Sequence, residues 1–239
     1  MRYTCTIALA VIAHLLFVSA AFAEKSPAYS MNKDWQACQT SGIPDSEKFV
    51  DCIRYPDSGK NFEACENPPR AIYFSLHAEY RFRDIHGNNM EPDYILSAVG
   101  QKMAQHLAKI FKPIPVKAIY TSHYTRTRQT ACPLMRDKGV ERHVVCKTET
   151  KSERFLMEAL CKAHRDEVVV VIGHHDTVKE ILINLKVMGP LDVPELKYGV
   201  LYKVTFQNGK PHWIEPPVRY WNCDPSDCYE NGALDVTLK

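Results

Sequence analysis

Hydrophobic and polar positions alternate in blocks along the chain from residue 71 onward, and these blocks predict strands and helices in turn. The most hydrophobic block, 168–172 (Val-Val-Val-Val-Ile), is continuous, which favours a strand buried on both faces of a parallel sheet. Shorter β-rich blocks at 71–75, 116–121 and 144–146 predict further strands. Because helical segments separate these strands, we predict an α/β fold, a three-layer sandwich with a mostly parallel central sheet.

Helical periodicity is clearest after Ser97, where Val99, Met103, Leu107 and Ile110 recur every three or four residues. This spacing predicts an amphipathic helix that buries one face. Ser97 immediately precedes it and is a suitable N-cap residue, because its hydroxyl can accept a hydrogen bond from the first turn.

Further helices are predicted over 126–138, 153–164 and 177–185. The first is closed by Gly139, and Pro133 must either kink it or lie in its first turn. Two strands, 199–206 and 210–214, flank an Asn-Gly dipeptide near the end of the chain. Since Asn-Gly suits a type I′ turn, these strands are predicted to form an antiparallel hairpin.

The beginning of the chain has the pattern of an export signal. Arg2 precedes a nearly unbroken apolar run, and the segment ends in Ala-Phe-Ala before Glu24. We therefore predict a signal peptide over 1–23, a disulfide-tied N-terminal arm over 24–69, and the main domain over 70–239. The expected location is periplasmic or secreted, with no stable membrane insertion after cleavage.

The charge balance excludes some classes of partner. The chain has 30 basic and 28 acidic residues, and removing the signal peptide removes one of the basic residues. Such a small excess argues against nucleic acid or an anionic membrane as the main partner, since both usually require a strong basic surplus.

The cysteines indicate disulfide bonds. Nine are present, and an even number remains once Cys5 leaves with the signal peptide. Cys223 and Cys228 are predicted to close a small C-terminal loop, and many pairings are open to the others. A zinc site ranks lower because the sequence contains no Cys-x-x-Cys pair.

Three predicted strands end in residues suited to phosphate chemistry. The segments are Ser-Leu-His-Ala-Glu (75–79), Thr-Ser-His-Tyr-Thr-Arg-Thr-Arg-Gln-Thr (121–130) and Gly-His-His-Asp-Thr (173–177). Ligands of open α/β sheets bind beyond the carboxyl ends of the strands. If these strands are neighbours, two histidines and an arginine converge on one place. Guanidinium groups and helix N-termini bind phosphate oxygens, so a phosphate pocket is predicted there.

This set of segments resembles the histidine phosphatase (phosphoglycerate mutase-like) superfamily. Its members carry Arg-His-Gly after the first strand, then Ser-Pro-x-x-Arg-(Thr/Ala)-x-Gln-Thr, and Gly-His after the buried strand. They commonly also have Leu-Thr-x-x-Gly-x-x-x-Ala between the first two, matched here by Leu96, Ser97, Gly100 and Ala104. The resemblance spans about 72–206 in the family's order. It implies a phosphoglycerate mutase-like fold, a small phosphorylated substrate and no cofactor or metal.

The resemblance also implies roles for individual residues. His77 would be the nucleophile that takes the phosphoryl group, His174 would face that group, and Arg126 would clamp its oxygens. His175 is expected to pack against or tune the pocket, although a one-residue shift would exchange its role with that of His174. Arg128 is interpreted as a solvated helix charge.

A carboxylic acid is needed to protonate the leaving oxygen and later to activate water. Glu153, after the third strand, is the preferred candidate. Glu149 lies close behind it, and Asp176 is a third option because some branches use an acid beside the second histidine.

The first motif departs from the family's pattern. Leu76 replaces the first arginine and Ala78 replaces the glycine, while His123 replaces the proline of the second motif. Loss of one charge-assisted contact to phosphate costs on the order of 1.5–3 kcal/mol. Arg81 or Arg83 is a hypothetical substitute that would reach back into the pocket.

Three functions follow as hypotheses. The first is an exported phosphomonoesterase that acts through phosphohistidine. The second is a pseudophosphatase that keeps the fold and binds a phosphorylated ligand but has lost turnover with the arginine. The third is a metal-dependent hydrolase using His77, His174, His175 and Asp176, which lack a recognisable ligand spacing. A glycolytic mutase is disfavoured because export would separate it from its metabolites.

Overall fold

The computed structural model describes residues 65, 67–81, 94–140, 142–145, 156, 160–187, 194–223 and 228–238. These residues belong to one compact unit. The predicted signal peptide and almost all of the N-terminal arm lie outside them, as do Arg83, Glu149 and Glu153. The predicted division of the chain at 23 and 69 therefore stays a prediction.

Six strands of the described residues form the central sheet. In chain order they are β1 (Ala71–Leu76), β2 (Val116–Ser122), β3 (Arg142–Val145), β4 (Val168–Gly173), β5 (Val200–Gln207) and β6 (Lys210–Arg219). Their spatial order is β3-β2-β4-β1-β5-β6. The first four strands in this order pair in parallel, whereas β5 pairs antiparallel with both β1 and β6. The predicted, mostly parallel sheet is confirmed, and the continuous apolar run forms its buried central strand β4.

Three helices have both ends in the described ranges, namely α1 (Ala98–Ile110), α2 (Thr125–Lys138) and α3 (His175–Asn184). Residues 160–163 are also helical. Ser97 caps α1 as predicted, because its hydroxyl accepts a hydrogen bond from the Gly100 amide at 3.0 Å. Gly139 ends α2 in the left-handed conformation (φ 62°), also as predicted. Pro133 lies in the interior of α2, not in its first turn. None of these described helices is long and apolar enough to cross a bilayer.

The helices cover both faces of the sheet. On one face Phe74 and Leu76 of β1 belong to a buried cluster with Val178 and Leu182 of α3. On the other face Tyr73 meets the ring of Phe111, just after α1, edge to face. The alternating side chains of one buried strand thus contact two helical layers, which confirms the predicted sandwich.

The C-terminal part of the chain contains the predicted hairpin. Asn208 (φ 52°) and Gly209 (φ 74°) join β5 to β6 and both have the positive φ that a type I′ turn requires. A separate two-stranded ribbon follows, β7 (Trp221–Cys223) with β8 (Cys228–Ala233).

Disulfide bonds connect distant parts of the fold. Cys223 is bonded to Cys228, which confirms the predicted C-terminal loop. Cys65 is bonded to Cys161, 96 residues further along the chain. Cys132 in α2 is also disulfide-bonded. Stability therefore depends partly on oxidised cysteines.

Candidate active site

The three strand ends that carry the candidate residues are neighbours. Strand β4 lies between β1 and β2, with Leu76 paired to Gly173 and Thr121 paired to Ile172. The backbone N–H of His77 donates to the Gly173 carbonyl at 3.0 Å, so the first and third motifs are joined directly beyond the sheet. Parallel neighbours end at the same edge, and this edge is the predicted location of the pocket.

His77 is held in one tautomer by its own loop. The side chain is 4% exposed, and its Nδ1 lies 2.9 Å from the Ala78 carbonyl oxygen. Because a carbonyl can only accept, Nδ1 carries the proton in this contact. In the neutral ring Nε2 then has the lone pair, which is the electronic state that a nucleophilic imidazole needs.

His174 is the N-cap residue of α3, so helix geometry fixes its backbone. Its Nε2 lies 2.8 Å from Ser122 Oγ, and Ser122 Oγ lies 2.8 Å from Thr127 Oγ1. Thr127 donates its own hydroxyl proton to the backbone carbonyl of Tyr124 at 2.8 Å. Ser122 therefore donates to Thr127 and accepts from the Nε2–H of His174.

Arg126 contacts the second ring nitrogen of His174. Arg126 Nη2 is 3.4 Å from His174 Nδ1, and since a guanidinium only donates, Nδ1 is the acceptor. The His174 and His77 rings are 5.2 Å apart between centroids. The structure thus brings together His77, His174 and Arg126.

The guanidinium of Arg126 is surrounded by tyrosine rings. Its central carbon lies 4.6 Å from the ring centroid of Tyr124, 5.3 Å from that of Tyr80 and 5.7 Å from that of Tyr94. Cation–π contacts of this kind hold a guanidinium through its face, not through its N–H edge. Its Nε is buried and makes no hydrogen bond within the described part of the chain. A donor of this kind is suited to an anionic ligand.

The other residues of the motifs tie the site together. Thr130 accepts from the Ala78 amide at 2.9 Å, and Gln129 accepts from the Leu96 amide at 2.8 Å. Gly100 lies directly against the backbone carbonyl of Glu79, where a Cβ atom would collide with it. The spacing of the motifs follows from these contacts, because each one joins α1 or α2 to the segment between β1 and α1.

The sequence comparison agrees with this geometry. Residues 72–149 match the model of the histidine phosphatase superfamily (branch 1), a range that contains the first two motifs. Over this range the chain is similar to the histidine phosphatase superfamily. No curated protein matches the sequence.

Several solved structures are similar to part of this chain. Bacillus stearothermophilus YhfR has a TM-score of 0.50 at 15% identity, over 60% of this chain and 95% of that one. Phosphoserine phosphatase from Entamoeba histolytica, solved with 3-phosphoglyceric acid, has a TM-score of 0.49 at 17% identity (61% and 95% covered). Mycobacterial glucosyl-3-phosphoglycerate phosphatase, solved with inorganic phosphate, has a TM-score of 0.47 at 14% identity (61% and 94%). At 15% identity the likeness to YhfR concerns the fold alone, whereas the family match over 72–149 supports phosphatase activity.

Leu76 occupies the place of the superfamily's first arginine and lies in the core. It is 1% exposed and packs in the cluster that contains α3. Its side chain offers neither a hydrogen-bond donor nor a charge to a phosphate ion. Arg81, the proposed substitute, is exposed, and its backbone N–H donates to the Ile95 carbonyl at 2.9 Å. Within the described residues no hydrogen bond joins its side chain to the paired histidines.

His175 and Asp176 lie in the first turn of α3 and are exposed. The His175 ring is 5.4 Å from that of Tyr198, which is itself 5.4 Å from His77. Partial burial lowers the pKa of His175, and the carboxylates of Glu195 and Asp176 oppose that shift. Asp176 Oδ1 accepts from the Thr177 amide at 2.9 Å.

Arg128 is not the solvated charge that the sequence suggested. It is 3% exposed, and its Nη2 donates to Thr125 Oγ1 at 2.9 Å. The prediction was wrong because the first half of α2 packs against α1 as well as the sheet, so this polar stretch is buried on several sides.

The metal hypothesis would require several ligands in one place. Within the described ranges, no three His, Cys, Asp or Glu side chains are grouped in a way that could hold a metal ion.

Sequence patterns did not predict a role for Ser122 or for the tyrosines around the site. Ser122 stood within a recognised motif, which was its only signal. Tyr80 and Tyr94 lie in the connection between β1 and α1, whereas Tyr198 precedes β5, and nothing in their spacing indicated that they meet.

Proposed function

We propose that this protein is an exported phosphomonoesterase that acts through a phosphohistidine intermediate on His77. The observation that carries the proposal is the Nδ1 contact of His77 with the Ala78 carbonyl, which leaves the lone pair on Nε2. His174 and Arg126 lie beside that ring, where they can balance the charge of a phosphoryl group. The similarity of residues 72–149 to the histidine phosphatase superfamily supports the same chemistry.

The reaction has two steps. In the first, His77 Nε2 attacks phosphorus, the bond from phosphorus to the ester oxygen breaks, and a carboxylic acid protonates the departing alcohol. In the second, the resulting carboxylate takes a proton from water, and the water oxygen attacks phosphorus. The N–P bond breaks, inorganic phosphate leaves, and His77 regains its lone pair.

We place the proton donor at Glu153, with Glu149 and Asp176 as alternatives. Asp176 follows His174 closely in sequence, and one of its carboxylate oxygens already accepts from the Thr177 amide at the start of α3. That contact favours its carboxylate form at the helix N-terminus and makes it a poorer acid. Replacing each acid by its amide should slow turnover most strongly at the true donor.

Export is supported by the predicted signal peptide over 1–23 and by the disulfide bonds of the domain. Disulfides persist in oxidising compartments, which supports a periplasmic or secreted location. Amino-terminal sequencing of the purified protein should begin at Glu24, and a start at Met1 in a reducing compartment would contradict export.

A pseudophosphatase is the second candidate, and the burial of Leu76 is the observation that favours it. With a leucine in place of the first arginine, the described pocket has lost one charge-assisted contact to phosphate. The cost falls on turnover if that contact strengthens in the transition state.

Hydrolysis of p-nitrophenyl phosphate between about pH 4 and pH 8 separates the two candidates, since general acid–base catalysis depends on pH. The oxidised wild type should be active, and His77→Ala should lower kcat by at least about a thousandfold. His212→Ala is the matched control: His212 is exposed and pairs with Thr205, which pairs with Ala71 at the opposite end of β1 from the site. Near-zero rates for all three proteins, with vanadate still binding the wild type, would favour the pseudophosphatase. Undiminished activity of His77→Ala would refute the assigned nucleophile.

A further inference from the structure

Tyrosine rings surround the reactive histidine as well as Arg126. The ring of His77 lies 5.1 Å from that of Tyr80 and 5.4 Å from that of Tyr198. Tyr94 stacks on Tyr80 at 5.1 Å with an interplanar angle of 26°. These three side chains are called the tyrosine wall below.

The tyrosine wall differs from the tyrosines of the core. Tyr73, Tyr202 and Tyr220 are between 0% and 3% exposed, whereas every ring of the wall is half-buried. Core rings have all their surface covered by the protein. Each ring of the wall keeps part of its surface uncovered within the described residues, beside the nucleophile.

The chemistry of the wall suits one kind of leaving group. Arg126 and the two histidines supply the charged and polar contacts for the phosphoryl oxygens. The rings of Tyr80 and Tyr198 lie 5.1 and 5.4 Å from that of His77, within reach of the first atoms beyond the ester oxygen. Aromatic rings prefer offset-stacked or edge-to-face contacts with another ring. A sugar or polyol would leave most of its hydroxyl groups without partners on such a surface.

Burial favours the neutral form of the Tyr198 phenol. It raises the pKa of Tyr198, with Tyr80 contributing in the same direction and Arg126 opposing. A neutral ring surface adds no charge of its own to the pocket, so it favours an uncharged aromatic group over an anionic one.

We propose that the substrates of this site are phosphomonoesters whose alcohol carries a flat aromatic ring beside the reacting oxygen, and that this ring packs against the tyrosine wall. The proposal deepens the proposed function and rests on it for turnover, but not for binding. Phenolic and benzylic phosphates are the matching chemical class.

Binding of two phosphonates tests the inference without requiring turnover. Benzylphosphonate and cyclohexylmethylphosphonate have the same carbon skeleton and the same charged group, and they differ in the aromaticity of the ring. With the disulfide-intact protein, calorimetry should show about fivefold tighter binding of the benzyl compound, as expected for one favourable aromatic contact. Equal dissociation constants, or tighter binding of the cyclohexyl compound, would overturn the proposal.

Variants of the wall identify the ring responsible. Tyr94→Leu and Tyr198→Leu should each lower the benzyl preference, whereas Tyr94→Phe and Tyr198→Phe should keep it because the ring remains. Since each ratio is measured on one variant, a general weakening of phosphonate binding cancels. If the leucine variants kept the full benzyl preference, the wall would not be its source and the proposal would fail.

Hydrolysis of the corresponding phosphate esters distinguishes failure of this inference from failure of the proposed function. Benzyl phosphate should be hydrolysed with a kcat/KM about fivefold above that of cyclohexylmethyl phosphate, by the same aromatic contact. A benzyl preference in binding without hydrolysis of either ester would retain the substrate class and remove the enzymatic function. Equal hydrolysis of both would retain the function and remove the substrate class.

Discussion

The two sides of the pocket are built in different ways. The polar side consists of Ser122, Arg126, Thr127 and His174. These side chains form a chain of hydrogen bonds in which Arg126 donates to His174, His174 to Ser122 and Ser122 to Thr127. The other side is the tyrosine wall, whose rings contact His77 and one another through their faces and edges. The polar side fixes protonation states, whereas the wall supplies shape.

This difference explains how a degenerate first motif can coexist with second and third motifs that retain Arg126 and His174. The guanidinium of the described pocket comes from the polar side, on α2. On the side of β1, the position of the superfamily's first arginine is occupied by Leu76 in the core. The charge for phosphate is therefore concentrated on one side of His77.

Moving a cation back to β1 should not restore the superfamily's arrangement. In Leu76→Arg, a charge would enter the cluster packed against α3, and an unpaired buried charge destabilises by about 3–5 kcal/mol. Urea denaturation should show this loss of unfolding free energy, while Leu76→Met should cost less than about 1.5 kcal/mol. An arginine variant as stable as the wild type, with higher phosphatase activity, would show that position 76 still reaches the pocket.

Removing the cation of the polar side should have the next largest effect. Arg126→Met should lower kcat/KM by about 10- to 100-fold, corresponding to one charge-assisted contact of about 1.5–3 kcal/mol. Arg136→Met, at an exposed position in the last turn of the same helix, is the control and should leave kcat/KM nearly unchanged. Equal effects of the two substitutions would mean that Arg126 does not bind the phosphoryl group.

Removing a hydrogen bond of the polar side while keeping its charge should decrease activity less than Arg126→Met does. In Ser122→Ala, His174 loses the acceptor of its Nε2–H, and a neutral hydrogen bond contributes about 1 kcal/mol, or roughly a fivefold decrease in kcat. Thr121→Val is the matched control on the same strand, because the buried Thr121 hydroxyl makes no hydrogen bond within the described residues. Steady-state kinetics would measure kcat for both variants. The same kcat for Ser122→Ala and Thr121→Val would contradict the assigned hydrogen-bond network.

The smallest effect is expected at the edge of the wall, where His175 packs against Tyr198. The pKa of His175 in the folded protein is lowered from 6.5, so below pH 6.5 the unfolded chain binds the proton more readily. This site therefore contributes a loss of stability as the pH falls through that range. His175→Gln should show a slightly smaller decrease in Tm than the wild type between pH 7.5 and pH 5.5. A larger decrease in the variant would mean that the folded protein favours protonated His175.

Much of the fold was predictable because its signals are local. The apolar run 168–172 formed the central strand, and Ser97 and Asn208-Gly209 took the conformations that their side chains favour. The neighbourhood of His77, His174 and Arg126 also followed from sequence, since parallel strands end at a common edge.

The remaining features depend on contacts between distant segments. The sequence around Arg128 is polar, so Arg128 resembled a surface charge. The neighbouring Gln129 and Thr130 are nevertheless buried, because they accept hydrogen bonds from backbone amides between β1 and α1. The tyrosine wall combines Tyr80, Tyr94 and Tyr198, and no periodicity links the three positions. Helix α3 begins at His175, two residues before the predicted start, because His174 takes the role of its cap.

Trapping the covalent intermediate tests the central claim, that His77 takes the phosphoryl group. The oxidised protein would be mixed rapidly with p-nitrophenyl phosphate, quenched in alkali, in which phosphohistidine survives, and analysed by peptide mass spectrometry. We expect a phosphoryl group on the peptide that contains His77, assigned to that residue by fragmentation, and none in His77→Ala. A phosphoryl group on another residue, or turnover without any trapped phosphopeptide, would contradict the account.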